Sequence, residues 1–169
     1  MFNRLPALLI AIPLALLVIA PAHAQIPLCD VNAPLPALTF VASSTTGDHG
    51  QLWTIEFDQG FSATLKVSAF YPSPTELKGS IVLETCDLQR IAAVAQTASF
   101  STLPERLAPS HNTPLHAPYM TVRITTKDGA RSVSVYDPAH VEDKSQLERF
   151  MSVWNAIFML SPLKPPAQN

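Results

Sequence analysis

"LWTIEFDQGFSATLKV", from Leu52 to Val67, is the stretch that decides the fold. Apolar and polar residues alternate on both sides of Asp58-Gln59-Gly60, which is the pattern of a β-hairpin with one buried face. The glycine supplies the left-handed residue that a three-residue connection requires. One register places every apolar residue on the same face, and it pairs Phe57 with Phe61, Ile55 with Ala63 and Trp53 with Leu65.

A second hairpin is predicted at "YMTVRITTKDGARSVSVY", residues 119–136, where Asp128-Gly129 is a strong two-residue turn signal. In that register Ile124 pairs with Val133, and Val122 pairs with Val135. Two further strands are predicted at residues 37–43 and 77–84.

Two segments have a helical period instead. Residues 86–98 place Leu88, Ile91, Ala92 and Ala95 on one side, with Thr85 as the predicted N-cap. Residues 141–160 form a longer amphipathic helix. Strands with one apolar face and two amphipathic helices predict a two-layer α+β domain. We expect an antiparallel sheet of about five or six strands with both helices on one face.

The first 24 residues are typical of a cleaved secretory signal. Arg4 is followed by an apolar run and then by the small-x-small site Ala22-His23-Ala24. A membrane anchor is the rival interpretation, but the apolar run is short and contains Pro13. Cys29 raises lipid attachment as another alternative, although Leu28 precedes it where a small residue is usual. We expect a periplasmic or secreted bacterial protein with no membrane contact after cleavage.

Cleavage leaves 145 residues, enough for one domain. The predicted organisation is a Pro-rich extended segment at 25–36, a single α+β domain at 37–160 and a flexible tail at 161–169. The remaining chain has 10 basic and 13 acidic residues, net charge −3, without the clustered basic face that nucleic-acid binding requires. Cys29 and Cys86 predict one disulfide in an oxidising compartment, because neither has a CxxC partner or a nearby histidine.

The polar residues form no recognisable catalytic or metal-binding constellation. His49, His111, His116 and His140 match no zinc spacing and are predicted to be surface residues. No G-x-S-x-G elbow and no glycine-rich phosphate loop occurs. Trp53 and Trp154 lie on apolar faces and are predicted to pack in the core. We therefore expect no metal, no cofactor and no enzymatic activity.

Two loops and one sheet face are the candidates for binding. The segment from Ser99 to Pro118 is long for a compact domain and is stiffened by four prolines. With the polar loop from Ser43 to Gly50 it predicts a contact loop region comprising Ser110, His111, Asn112, Leu115, His116, Asp48 and His49. The polar side of the second hairpin carries Tyr119, Arg123 and Tyr136, which predicts an exposed face suited to a partner.

The order of these motifs resembles that of a group of small bacterial secreted and envelope domains. The resemblance rests on the first hairpin, on "FSTLP" from Phe100 to Pro104 at the exit of the first helix, on the Asp-Gly hairpin and on the closing helix. Emfourin-type inhibitors of thermolysin-like metalloproteases are similar in this layout. The resemblance implies an α+β fold and a binding role. Its motifs are turn and core residues, so it assigns no functional residue in this sequence.

The sequence therefore predicts a non-catalytic binding domain whose partner is another protein, with a secreted protease as one such partner. A structural or accessory envelope protein without a discrete ligand is the alternative. A small hydrolase or a metal binder is a third hypothesis. The sequence leaves the oligomeric state open.

Overall fold

The alternating segments form one sheet, with two helices on one side of it. The computed structural model describes residues 29–34, 36–46, 51–58, 60–69, 75–109 and 117–162. The strands are β1 (Leu38–Thr46), β2 (Gln51–Phe57), β3 (Ser62–Ala69), β4 (Thr75–Val82), β5 (Arg106–Leu107), β6 (Tyr119–Thr126) and β7 (Gly129–Tyr136). The helices are α1 (Thr85–Thr97) and α2 (Lys144–Phe158).

The seven-stranded sheet has the order β4-β3-β2-β1-β6-β7-β5. All neighbours are antiparallel except β5 and β7, which are parallel. The α+β class is confirmed, whereas the expected five or six strands is an underestimate. The additional strand is β5, whose two residues are too few to produce a periodic pattern.

The core lies between the helices and one face of the sheet. Trp53 of β2 contacts both Trp154 and Phe158 of α2, with ring centroids 5.4 and 5.8 Å apart. Leu88 and Ile91 of α1 are buried in the same cluster. The predicted core positions of Trp53 and Trp154 are confirmed, since they are 1% and 4% exposed. The opposite face of the sheet, called the open face below, carries the alternate residues of each strand.

Both hairpins pair two residues away from the predicted register. In the first, Ile55 lies opposite Leu65 and Trp53 opposite Val67. Phe61 consequently stays out of the core and is 58% exposed. A shift of two residues preserves the face of every side chain, so the alternation alone could not exclude it.

In the second hairpin the turn residues are Lys127 and Asp128, because Thr126 pairs with Gly129. Gly129 has φ +130°, a backbone conformation that favours glycine. Ile124 therefore faces Arg131 instead of the predicted Val133.

The helix boundaries differ slightly from the predictions. Helix α1 begins after Glu84, not after the predicted N-cap Thr85, and the Asp87 carboxylate accepts the Glu84 backbone N–H at 2.9 Å. Helix α2 is shorter than predicted at both ends, and the Asp143 carboxylate caps it by accepting the Gln146 N–H. Among the described residues no helix is long and apolar enough to cross a membrane.

The predicted disulfide joins Cys29 to Cys86 at the start of α1, with the two Cα atoms 5.2 Å apart. Gln89 holds the same segment, because its side chain donates to the Asp30 carbonyl at 2.7 Å and accepts the Asp30 N–H at 3.1 Å. The chain turns at Asp30, whose carbonyl accepts the Ala33 N–H. At the other terminus Ser161, the first residue of the predicted tail, is buried and accepts a hydrogen bond from the Trp53 indole.

Candidate functional site

The predicted contact loop residues lie outside the described part of the chain. These are Ser110, His111, Asn112, Leu115, His116, Asp48 and His49. The residues that flank the two predicted loops are described, and they lie at the same end of the sheet. Thr45, near the end of β1, pairs with Tyr119 at the start of β6. Tyr119 in turn pairs with Tyr136 at the end of β7, and the Pro118 carbonyl accepts the Asp137 N–H.

The structure describes the predicted long loop from Ser99 to Pro118 over residues 99–109 and 117–118. A 3-10 turn at Phe100–Thr102 leads into β5, and Pro109 forms a β-bridge with Val141. Phe100, Leu103 and Leu107 are buried and anchor this path to the core. The predicted polar loop is also shorter than expected, since β1 continues to Thr46.

Tyr119 and Tyr136 form a pair on the open face. Their ring centroids are 6.5 Å apart with the ring planes inclined by 53°. Tyr119 is 38% exposed and Tyr136 is half-buried. Next to them Thr121 and Ser134 pair across the strands, and their hydroxyls are 3.2 Å apart. This end of the hairpin therefore presents two tyrosine side chains and two aliphatic hydroxyl groups on one face.

Arg123 lies two residues beyond Thr121 on the same face. Its side chain is exposed and makes no hydrogen bond or ion pair with any residue that the structure describes. Together with Ser132, Ser134 and Ala130 it lines a shallow groove of about 380 Å³, whose remaining walls are Glu105 and Arg131. The structure thus brings Tyr119, Arg123 and Tyr136 onto one continuous surface, which we call the Tyr–Arg surface.

Arg106 is a residue of this surface that the sequence did not reveal. Because β5 runs alongside β7, Arg106 lies opposite Ser134, and its neighbour Leu107 is buried on the core side. Alternation therefore places Arg106 on the open face, where it is exposed. With Arg123 it gives this part of the sheet two cationic groups that can contact a ligand.

Arg131 has a structural role instead, because its contacts are with the segment before β5. It lies on the core side and donates from Nη2 to the Leu103 carbonyl and from Nη1 to the Glu105 carboxylate, the latter at 3.4 Å. Its Nε is buried and has no hydrogen-bond partner among the residues that the structure describes. These contacts hold the segment before β5 in position and so help to place Arg106.

The described residues contain no group of three or more His, Cys, Asp or Glu side chains that could hold a metal ion. His140 is a surface residue, as predicted, and its Nδ1 lies 2.9 Å from the carboxylate of the buried Asp137. That pair spans a single 3-10 turn at Pro138–His140, and Asp137 has φ 48°, in the left-handed region that aspartate tolerates. The contact between His140 and Asp137 is therefore explained as one that stabilises this turn.

No protein-family model matches the chain, and a search of curated proteins finds no significant match.

Proposed function

We propose that this protein is a non-catalytic domain, exported from the cytoplasm, that binds another protein through the Tyr–Arg surface. The observation that carries the proposal is the tyrosine pair, 6.5 Å between centroids, on the same open face as Arg123. Tyrosine and arginine are the residue types most enriched at the energetic centre of protein interfaces. Tyrosine adds contact area at a low entropic cost, because only two side-chain torsions become ordered.

The arginines indicate what the partner presents. Arg106 and Arg123 are exposed, whereas Glu105, the one acidic residue of the groove, is paired with Arg131. The groove therefore has unpaired positive charge beside an aromatic pair. Acidic side chains on the partner would form charge-assisted hydrogen bonds there. Such a charge pattern also favours fast association with an acidic surface.

A secreted protease is the partner class that we propose first. The resemblance in layout to emfourin-type inhibitors supports it, and the disulfide is typical of a small domain outside the reducing cytoplasm. Under this proposal the domain inhibits by occluding the protease, and none of its own residues takes part in a reaction.

Inhibition assays test the proposal directly. We would measure inhibition constants of the exported protein against one thermolysin-like metalloprotease, one serine protease and one cysteine protease. The Tyr119→Ala/Tyr136→Ala variant and the Arg123→Ala variant should each raise the constant by at least about tenfold, the effect typical of interface centres. Arg90→Ala on the exposed side of α1 is the matched control and should leave it unchanged.

The possible outcomes separate the two parts of the proposal. Absence of inhibition for every protease class would reject the protease as partner and favour an accessory envelope role. If the tyrosine and arginine variants inhibit as well as the wild type, the Tyr–Arg surface is rejected as the binding site. Circular dichroism of each variant shows that the comparison is between folded proteins.

A further inference from the structure

Strand β4 ends the sheet on the side opposite β5, and within the described part of the chain its outer edge is open. Beyond its pairing with β3, no described residue forms a strand pair with β4. Seven of its eight residues are exposed and the remaining one is half-buried. Free backbone N–H and C=O groups along such an edge are a template for another strand.

The helix side of β4 is covered only at Ile81, which packs against the core, and the residues before it on that side are exposed. Leu77 pairs with Val67, which is only partly buried, and Leu77 itself is 61% exposed. Gly79 follows on the same side and is also exposed. This side of the strand has no charged residue, although an inward-pointing charge is a common device against edge pairing.

The open side of β4 carries opposite charges two residues apart. The Glu76 carboxylate accepts Lys78 Nζ at 2.8 Å and lies 3.3 Å from Lys66 Nζ of β3. The pKa of Glu76 lies below its ordinary value, first because of the hydrogen bond from Lys78 and then because of Lys66. The same hydrogen bond raises the pKa of Lys78. Both groups are therefore ionised at neutral pH.

We propose that β4 pairs antiparallel with β4 of a second copy of this chain, about a two-fold axis at Leu77. In this register each Lys78 lies opposite Glu76 of the other copy, and the two Leu77 side chains meet on the helix side. The sheets of the two copies become one continuous sheet. The strand that pairs with this edge belongs to a second copy, because β4 is complementary to itself in charge and in apolar surface.

The neighbouring registers lack this match. An axis at Lys78 would bring two lysines face to face, and like charges directly opposite each other are destabilising. An axis at Gly79 would place Glu76 opposite Val82 and Lys78 opposite Ser80. A lysine on an edge strand usually discourages pairing, but here Glu76 provides the opposite charge on the same face. The Leu77 register overlaps over residues 75–79, so the interface is small and the dimer dissociates on dilution.

Sedimentation velocity over a wide concentration range tests the proposal with charge-reversal variants of the exported protein. The wild type should shift from monomer to dimer as concentration rises. Glu76→Lys alone and Lys78→Glu alone should each weaken dimerisation by about tenfold or more, because two pairs of like charges then face each other. The double variant Glu76→Lys/Lys78→Glu restores complementarity and should dimerise like the wild type. Lys127→Glu, in the β6–β7 turn, is the control for the change in net charge.

A mixture of the two single variants gives the sharpest result. One copy then presents lysines at positions 76 and 78 and the other presents glutamates, so a heterodimer should form although neither variant dimerises alone. Misfolding could not produce that recovery. A wild type that stays monomeric throughout, or a dimer that none of these variants weakens, would overturn the proposal. Neither result bears on the Tyr–Arg surface, which lies at the other end of the strand order.

Discussion

Arg149 connects the two helices through backbone carbonyls. Helix α1 has no basic residue in its last turn, and the guanidinium of Arg149 from α2 takes that place. Its Nε donates to the Ala98 carbonyl, and its Nη2 donates to the Ser99 carbonyl and the Thr102 hydroxyl, each at 2.7 Å. Ser99 has φ 47°, so this cation also fixes a left-handed residue at the exit of the helix. A charged donor there supplies a hydrogen bond to the Ala98 carbonyl at the end of the helix and a further one to the Ser99 carbonyl, which also accepts from Thr102.

Arg149→Met should therefore lower the free energy of unfolding by about 1–3 kcal/mol, because methionine retains the aliphatic packing but removes three charge-assisted hydrogen bonds. Arg149→Lys should lower it less, since one ammonium can still contact some of the acceptors. Urea denaturation monitored by tryptophan fluorescence measures both. A loss below about 0.5 kcal/mol for Arg149→Met, the range of ordinary surface substitutions, would show that these bonds contribute little.

At the scale of the element, the N-terminal segment depends on its link to α1. The disulfide joins residues 57 positions apart, and Asp30 and Gln89 form two hydrogen bonds beside it. Cross-linking such a loop restricts the unfolded chain more than the folded one. The segment packs few apolar side chains, so the covalent bond is its main attachment.

Replacing both cysteines by serine should lower the free energy of unfolding by about 2–5 kcal/mol. Guanidinium denaturation of the oxidised wild type and the double variant measures the difference. A thiol assay on the purified, denatured wild type provides an independent check. Two reactive thiols in that assay would contradict the bond itself.

The hairpins show how far pattern alone can specify an element. Alternation in residues 119–136 correctly assigned Tyr119, Arg123 and Tyr136 to one face. It could not fix the register, because a period of two is unchanged by a shift of two residues. That shift leaves Arg131 on the core side but pairs it with Ile124 in place of Val133, and it leaves Phe61 exposed.

At the scale of the whole molecule, two layers and one core follow from the spacing of apolar residues, and the α+β class could be predicted from it. The position of Arg106 could not, because it depends on a two-residue parallel strand joined through long-range contacts. The place of β4 at the edge likewise depends on the order of the strands in the sheet. Both features arise from pairing between distant segments, so no local sequence pattern predicts them.

Export of the whole chain is testable by mass spectrometry. Expressed from Met1 in a bacterial host, the protein should be recovered outside the cytoplasm with Gln25 as its first residue, because Ala22-His23-Ala24 is a small-x-small cleavage site. Ala24→Leu should leave the uncleaved precursor. A lipid-modified N-terminus at Cys29, or a chain that retains Met1, would contradict the expected processing.

The central place of β1 has a consequence for the order in which the chain becomes structured. Phe40 pairs with Phe57 on one side and with Ile124 on the other, so one edge of β1 can be completed early and the other only when β6 has emerged. A chain that crosses a membrane from its N-terminus would thus present a four-stranded meander with an unpaired inner edge. Late pairings between distant segments form slowly and leave such edges exposed to aggregation. The C-terminal third of this chain is what completes the pairing of β1, so a chain exported from its N-terminus would require protection until β6 arrives.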